Sequence, residues 1–221
     1  MVYVCIFIAV VAYLIGSINF SIIFSKKFAG FDVREKGSGN AGTTNMLRSV
    51  GKKAAALTLI CDILKGVIAI GIAIGLGYLF NADNKSLLVQ IAGIAVVFGH
   101  TFPVYFGFKG GKGVATSLGV LIMSNWEIGL ICLAVGVTLI IITKMVSLGS
   151  CVAAILFAIL TFFIKDHYIV AQGSGYFIYS IILALFILFN HRSNIVRIIK
   201  GKENKISFKK KGKNKWKILQ L

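Results

Sequence analysis

Apolar runs about twenty residues long recur from one end of this 221-residue chain to the other. As helices, such runs match the roughly 30 Å hydrocarbon thickness of a bilayer, and a soluble core has no use for so many of them. Composition agrees: 57% of residues are hydrophobic and 14% charged, against about 25% charged in an average soluble domain. The chain reads as an integral membrane protein. Apolar length predicts about seven membrane segments, near 2–25, 54–80, 87–108, 113–124, 126–143, 145–164 and 176–190. The fourth is short for a span and is expected to be half-embedded or broken. No internal repeat is visible, so an inverted-repeat transporter gains no support. The first charged residue is Lys26, so the opening apolar segment lacks the basic start of a cleaved signal and is expected to be retained.

Charge sets the expected orientation. The chain carries 24 Lys and Arg against 7 Asp and Glu, a formal charge of +17. Seven basic residues fall in 26–53, three at Lys109, Lys112 and Lys144, and eleven from residue 191 onward. If seven segments alternate, all of these share one side, and only Lys85 and Lys165 sit on the other. Lys65 lies inside the second segment, three residues from Asp62, where a mutual ion pair is the expected arrangement. The positive-inside rule puts the basic side in the cytoplasm, with the N-terminus outside and the C-terminus inside. Residues 1–204 form the expected membrane domain, and the Lys-rich tail 205–221 is expected to rest on anionic lipid. Nucleic-acid binding is not indicated, because no known basic-aromatic module appears. Cys5, Cys61, Cys132 and Cys151 all lie in apolar runs without metal-ligand or disulfide spacing, which reads as packing.

Three polar stretches fall on that one side. Gly37-Ser38-Gly39-Asn40-Ala41-Gly42-Thr43-Thr44-Asn45, followed by Arg48, alternates glycine with hydroxyl and amide residues. Such a backbone can turn its N–H groups toward an anion, and the Arg48 fork suits phosphate; a plain flexible loop has the same composition. The second stretch runs from Gly99-His100-Thr101-Phe102-Pro103 to Gly107-Phe108-Lys109-Gly110-Gly111-Lys112-Gly113. Glycines would expose amides there, and a helix starting at Val114 would aim its positive end at the same place. GxxxxGK[ST] fits no register, so phosphate binding is indicated and nucleotide hydrolysis is not. The same lysines would also serve simply as topology anchors. In the third stretch, His191 and Asn194 share a helical face at the membrane edge, a position where interfacial histidines are also common. Together the three stretches predict a composite anion site at the bilayer surface.

These stretches resemble the acyl-phosphate-dependent glycerol-3-phosphate acyltransferase family, PlsY. The resemblance rests on GSGNAGTTNMLRSVGKKAA (37–55), GHTFPVYFGFKGGKGVAT (99–116) and NHRSNIVRIIKGKE (190–203), and covers the chain from Gly16 to Glu203. It implies an all-α integral membrane fold, a compact bundle of about seven transmembrane helices in the bacterial inner membrane, with its site facing the cytoplasm. It implies acyl transfer from acyl phosphate to glycerol 3-phosphate, without metal, cofactor, acyl-CoA or acyl carrier protein. Ser38, Arg48, His191 and Asn194 are the implied catalytic residues, and Glu203 a structural one. Gly39, Asn40, Thr44, Asn45, Lys109, Gly110, Gly111, Lys112 and Gly113 are the expected phosphate-binding residues. Asn19 stands where the family usually has Pro, and Thr43 where it often has Ala. Hand-off from the enzyme that makes acyl phosphate, and to the next acyltransferase, is expected through membrane or cytosol.

The residues also weigh against alternatives. A CoA-dependent acyltransferase pairs a His with an Asp five residues on, but His100, His167 and His191 are followed at that distance by Tyr105, Gln172 and Val196. An anion transporter would place its polar groups near the midplane, and a lipid-binding scaffold would not need three converging polar motifs.

Overall fold

A computed structural model describes residues 1–163 and 173–206 of the chain. Lys165 and most of the Lys-rich tail lie outside the described residues, so the expected tail anchor does too. Ten α-helices are described: α1 (Val2–Ser17), α2 (Phe20–Ala29), α3 (Thr43–Ser49), α4 (Lys52–Leu79), α5 (Lys85–Thr101), α6 (Val114–Ser124), α7 (Trp126–Thr143), α8 (Val146–Phe163), α9 (Gly173–Asn190) and α10 (Arg192–Ile199).

The helices turn their apolar side chains outward. On α4, Ile60, Leu64 and Ile68 follow one another at helical spacing and are about half exposed, whereas Asp62, Lys65, Gly66 and Ala69 of the opposite face are buried. An exposed apolar surface around a core holding charged groups is the arrangement a bilayer selects. Small residues let the helices approach closely. A Cβ on Gly119 of α6 would lie 2.0 Å from the Ile63 carbonyl oxygen of α4, and one on Gly16 of α1 would lie 2.1 Å from the Val96 oxygen of α5. Backbone-to-backbone packing of this kind replaces the hydrophobic drive that lipid does not supply. The core between α1, α4, α5 and α6 is filled by Ile70, Leu88, Val89, Val96, Val97 and Val120, none of them exposed.

Helix ends follow local chemistry. Asn19 sits in the break between α1 and α2, where its side chain accepts from the Ile22 amide at 3.2 Å. It caps α2 by hydrogen bonding where a proline would do so by shape. Asn125 alone separates α6 from α7; its amide closes α6 on Leu121 O at 2.7 Å and its side chain caps α7 at the Ile128 amide.

All seven expected segments are helical, but they are not seven equal spans. Among the described residues five stretches are long and apolar enough to cross: Val2–Ala29, Lys52–Leu79, Lys85–Phe106, Trp126–Thr143 and Val146–Phe163. A sixth is reached only if α9 and α10 count as one segment bent by 65° at His191. With 11 residues, α6 reaches about 16 Å, half the hydrocarbon thickness. Thr116 in its first turn packs against Gly66, midway along α4, so the loop before α6 is set into the bundle.

Candidate active site

The loop from Gly30 to Gly51 is folded around two buried polar residues. Ser25 in the middle of α2 donates to Ile22 O and accepts from the Val33 amide at 3.0 Å, which turns the chain back over the bundle. Asn45 of α3 is 1% exposed. Its Nδ2 donates to Val33 O and Lys36 O, both at 2.9 Å, and its Oδ1 accepts from the Ser38 amide at 3.0 Å. Gly37 and Gly39 take left-handed backbone angles of 61° and 72°, and a Cβ on Gly37 would strike Asn45 Oδ1 at 2.2 Å. The result is a fixed corner that presents Ser38 at the surface.

A second clamp joins this loop to the next. Arg34 holds Asp32 with two parallel bonds, Nε to Oδ1 at 3.0 Å and Nη2 to Oδ2 at 2.8 Å. Its Nη1 donates to the carbonyls of Phe106 at 2.7 Å and Lys109 at 3.1 Å. The hydrogen bond from Arg34 holds the Asp32 carboxyl below its usual range despite burial. The planar five-donor fork suits this task, and a lysine could not reproduce it.

The Gly-rich loop at 107–113 is bound tightly to the end of α5. Gly110 N donates to Thr101 O at 3.0 Å and Gly111 N to His100 O at 3.1 Å. These two amides, and that of Gly39, which donates to Lys36 O at 3.1 Å, are therefore engaged within the protein. Of the residues expected to bind phosphate, Gly39, Gly110 and Gly111 use their backbone amides, and Asn45 its side-chain amide, to hold the loops in shape, because glycine permits the close approach that such internal bonds require. Lys109 is exposed, and Asn40 and Thr44 lie half-buried at the start of α3. What points away from the loop are Lys112 and the first-turn amides of α6, which have no intrahelical acceptors.

The third motif meets Lys112. Lys112 Nζ donates to Asn194 Oδ1, and Asn194 Nδ2 donates to Glu203 Oε1 at 2.7 Å. Glu203 also accepts from Ser147 Oγ at 3.0 Å and Arg197 Nε at 2.9 Å. Burial works to raise the Glu203 carboxyl, but these hydrogen bonds outweigh it and hold it below its ordinary value. Arg48 of α3 reaches the same region, donating to Asn204 O at 3.2 Å. His191 is 3% exposed, and its Nδ1 lies 2.8 Å from Ile187 O. A carbonyl only accepts, so Nδ1 carries the hydrogen and Nε2 keeps the lone pair. Burial, reinforced by the Lys112 charge, pushes His191 down to about 4, and burial pushes Lys112 down to about 8. At neutral pH His191 is therefore neutral and Lys112 mostly charged.

The structure thus brings Arg48, Lys112, His191 and Asn194 to one end of the bundle, where Glu203 anchors Asn194 and Asn194 holds Lys112. Ser38 stays at the loop corner and its hydroxyl makes no hydrogen bond to that network among the described residues. Arg34 and Asp32 were missed in the sequence, where Arg34 counted only as a topology charge. Their signal was the spacing of an acid two residues before a base at a helix start. Below Gly113 and His191 opens an apolar cavity of about 130 Å³. It begins at Val114 and Ile187, runs between α6, α7, α8 and α9, and reaches Cys132 and Phe157.

Known proteins resemble this chain in sequence and in fold. The family model for glycerol-3-phosphate acyltransferase matches residues 6–201. A glycerol-3-phosphate acyltransferase of Thermoanaerobacter sp. (strain X514) is 47% identical over 201 residues, covering 91% of this chain and 95% of that protein. One of Clostridioides difficile (strain 630) is 46% identical over 205 residues, covering 93% and 97%. Among solved structures, the glycerol 3-phosphate form of PlsY, an integral membrane glycerol 3-phosphate acyltransferase, superposes with a TM-score of 0.79. Its sequence is 35% identical, with 92% of this chain and 96% of that one covered. The lysophosphatidic acid form gives 0.77 at 34% identity, with 92% and 95% covered. Over nearly its whole length, then, this chain belongs to the glycerol-3-phosphate acyltransferase family of the PlsY type.

Proposed function

We propose that this enzyme transfers a fatty acyl group from acyl phosphate to the 1-hydroxyl of sn-glycerol 3-phosphate at the cytoplasmic face of the bacterial inner membrane. The products are 1-acyl-sn-glycerol 3-phosphate and inorganic phosphate. The observation that carries this reading is the meeting of Lys112, Arg48, His191 and Asn194 directly above an apolar cavity. Both substrates carry phosphate and one carries a hydrocarbon chain, so a site for them needs cations above and an apolar slot below. A solved relative in its glycerol 3-phosphate form and again in its lysophosphatidic acid form supports the same substrate and product.

Acyl phosphate arrives activated, so positioning and charge stabilisation can supply most of the rate. Lys112 and Arg48 neutralise the phosphates, and the α6 N-terminus adds its partial positive charge. Ser38 and Asn194 orient the acceptor and the developing oxyanion. The 1-hydroxyl oxygen attacks the acyl carbon, the acyl–phosphate C–O bond breaks, and phosphate leaves with the bond pair. His191 Nε2 accepts a hydrogen bond from the hydroxyl and aims it. Burial pushes His191 down to about 4 in the free enzyme, which favours the substrate's own phosphate as the proton acceptor, with His191 Nε2 the other candidate. Near-normal turnover by His191→Gln would remove His191 as the base. Donor and acceptor meet at the membrane edge, with no cofactor in the scheme.

The test is acyl transfer to labelled glycerol 3-phosphate by purified protein, offered palmitoyl phosphate or palmitoyl-CoA. Product from the phosphate donor alone supports the reading. Product only from CoA overturns the donor, and no product from either, in folded protein, overturns the reaction.

A further inference from the structure

The buried charges on α4 are not used by the scheme above. Lys65 and Asp62 are 3% and 1% exposed, and their side chains form an ion pair at 3.1 Å. His100 of α5, also 3% exposed, joins them: its Nδ1 lies 2.8 Å from Lys65 Nζ and 3.6 Å from Asp62 Oδ1. Lys65 further donates to Gly16 O at 2.9 Å, in the last turn of α1, and to Ile18 O at 3.0 Å, in the break between α1 and α2.

An ammonium has three hydrogens, and here it has four neighbours. Two hydrogens go to carbonyls, which can only accept. The third lies nearest His100 Nδ1, and Asp62 supplies the countercharge. An Nδ1 that accepts leaves the ring hydrogen on Nε2. That edge of the ring faces the place where the two motif loops touch. A Cβ on Gly111 would lie 2.1 Å from His100 Nε2 and 2.8 Å from Ala41 O. The His100 carbonyl holds the Gly111 amide as well. Lys112 follows Gly111 directly, and Ala41 leads through Gly42 into α3, which carries Arg48.

We propose that Asp62, Lys65 and His100 form a positioning device for the active site, in which Lys65 fixes His100 as the Nε2–H tautomer so that the ring sets the Ala41–Gly111 junction and hence the spacing of Lys112 and Arg48. All three are positioning residues, since none reaches the reacting atoms. The inference rests on the proposed function for its readout.

Two substitutions separate positioning from simple support. In His100→Gln the side-chain amide sits near the Nε2 position and can still fill the place of the ring edge against the junction. In His100→Asn it sits near Nδ1 and can only keep the contact with Lys65. With acyl phosphate as donor, His100→Gln is expected to hold KM for glycerol 3-phosphate within about threefold of wild type, whereas His100→Asn raises it about tenfold or more with thermal stability matched. Equal losses in both variants, or the reverse order, overturn the proposal. Selective ¹⁵N labelling of histidine in the wild-type protein needs no variant: hydrogen on His100 Nε2 supports the device, and hydrogen on Nδ1 overturns it. Calorimetric binding of glycerol 3-phosphate needs no donor. Wild-type protein that binds but ranks the variants wrongly refutes this inference alone; wild-type protein that neither binds nor turns over refutes the proposed function and this inference with it.

Discussion

The chemistry at the residue scale turns on how burial tunes single charges. Lys112 has lost hydration, and its pKa is pushed down to about 8 although the Glu203 carboxylate opposes the shift. The charged form is the one that binds phosphate, so the sign is fixed: binding is intact below pH 8 and fails above it. Because kcat/KM reports the free enzyme, its alkaline limb is expected to bend near pH 8. Lys112→Arg keeps a cation with a far higher pKa. Any activity that remains in that variant should persist without the bend. A limb that stays at pH 8 in the variant would assign the titration to another group. Three polar stretches on one side of the bilayer brought Lys112, Arg48, His191 and Asn194 into view, and the family resemblance, not composition, gave them roles, because basic residues and histidines are also common at a membrane edge. Composition could not tell a glycine whose amide faces a ligand from one whose amide closes a turn. The amides of Gly110 and Gly111 close on the carbonyls of Thr101 and His100, about ten residues earlier, a pairing no local pattern announces.

Between elements, the site is held by a few side chains that each join two loops. Arg34 is the clearest case, with Asp32 on one side and the carbonyls of Phe106 and Lys109 on the other. Arg34→Lys keeps the charge and removes the fork. It is expected to lower kcat/KM about tenfold through misplacement of the two loops, while the protein stays folded. Steady-state kinetics beside a thermal melt would read this, and unchanged kcat/KM would show that the loops hold their spacing without the clamp. Hydropathy told the helices but not their joints. The apolar segments near 2–25, 54–80 and 126–143 stand out by length alone, and the brevity of α6 was visible in the same way. The 65° bend at His191 was not, because hydropathy marks where the apolar run ends at 190 but not the direction the chain takes afterwards, where Asn194 meets Lys112 and Glu203.

The whole molecule is polarised along its long axis. The loop from Gly30 to Gly51, the loop before α6, Lys144 and the segment 191–206 lie at one end, tied by Arg34 to Lys109 O, Arg48 to Asn204 O and the Ile206 amide to Lys144 O. Among the described basic residues only Lys65, inside α4, and Lys85, at the start of α5, lie elsewhere. The far end carries the turn from α4 to α5 and Asn125. Such an imbalance is what the positive-inside rule uses to orient a bundle, and the half-length α6 does not disturb it, since α7 returns to the end from which α6 left. The reading that follows is that the site end faces the cytoplasm and the Met1 end of α1 faces out. Single cysteines in a background with Cys5, Cys61, Cys132 and Cys151 replaced by serine or alanine test this in intact cells with a membrane-impermeant maleimide, the cysteine-free protein serving as the unlabelled control. Asp83→Cys, at the exposed far turn, should label from outside. Lys36→Cys and Lys202→Cys, both exposed at the site end, should label only after the membrane is opened. Labelling of Lys36→Cys in intact cells would invert the molecule, and a cytoplasmic phosphate donor could then no longer reach Lys112.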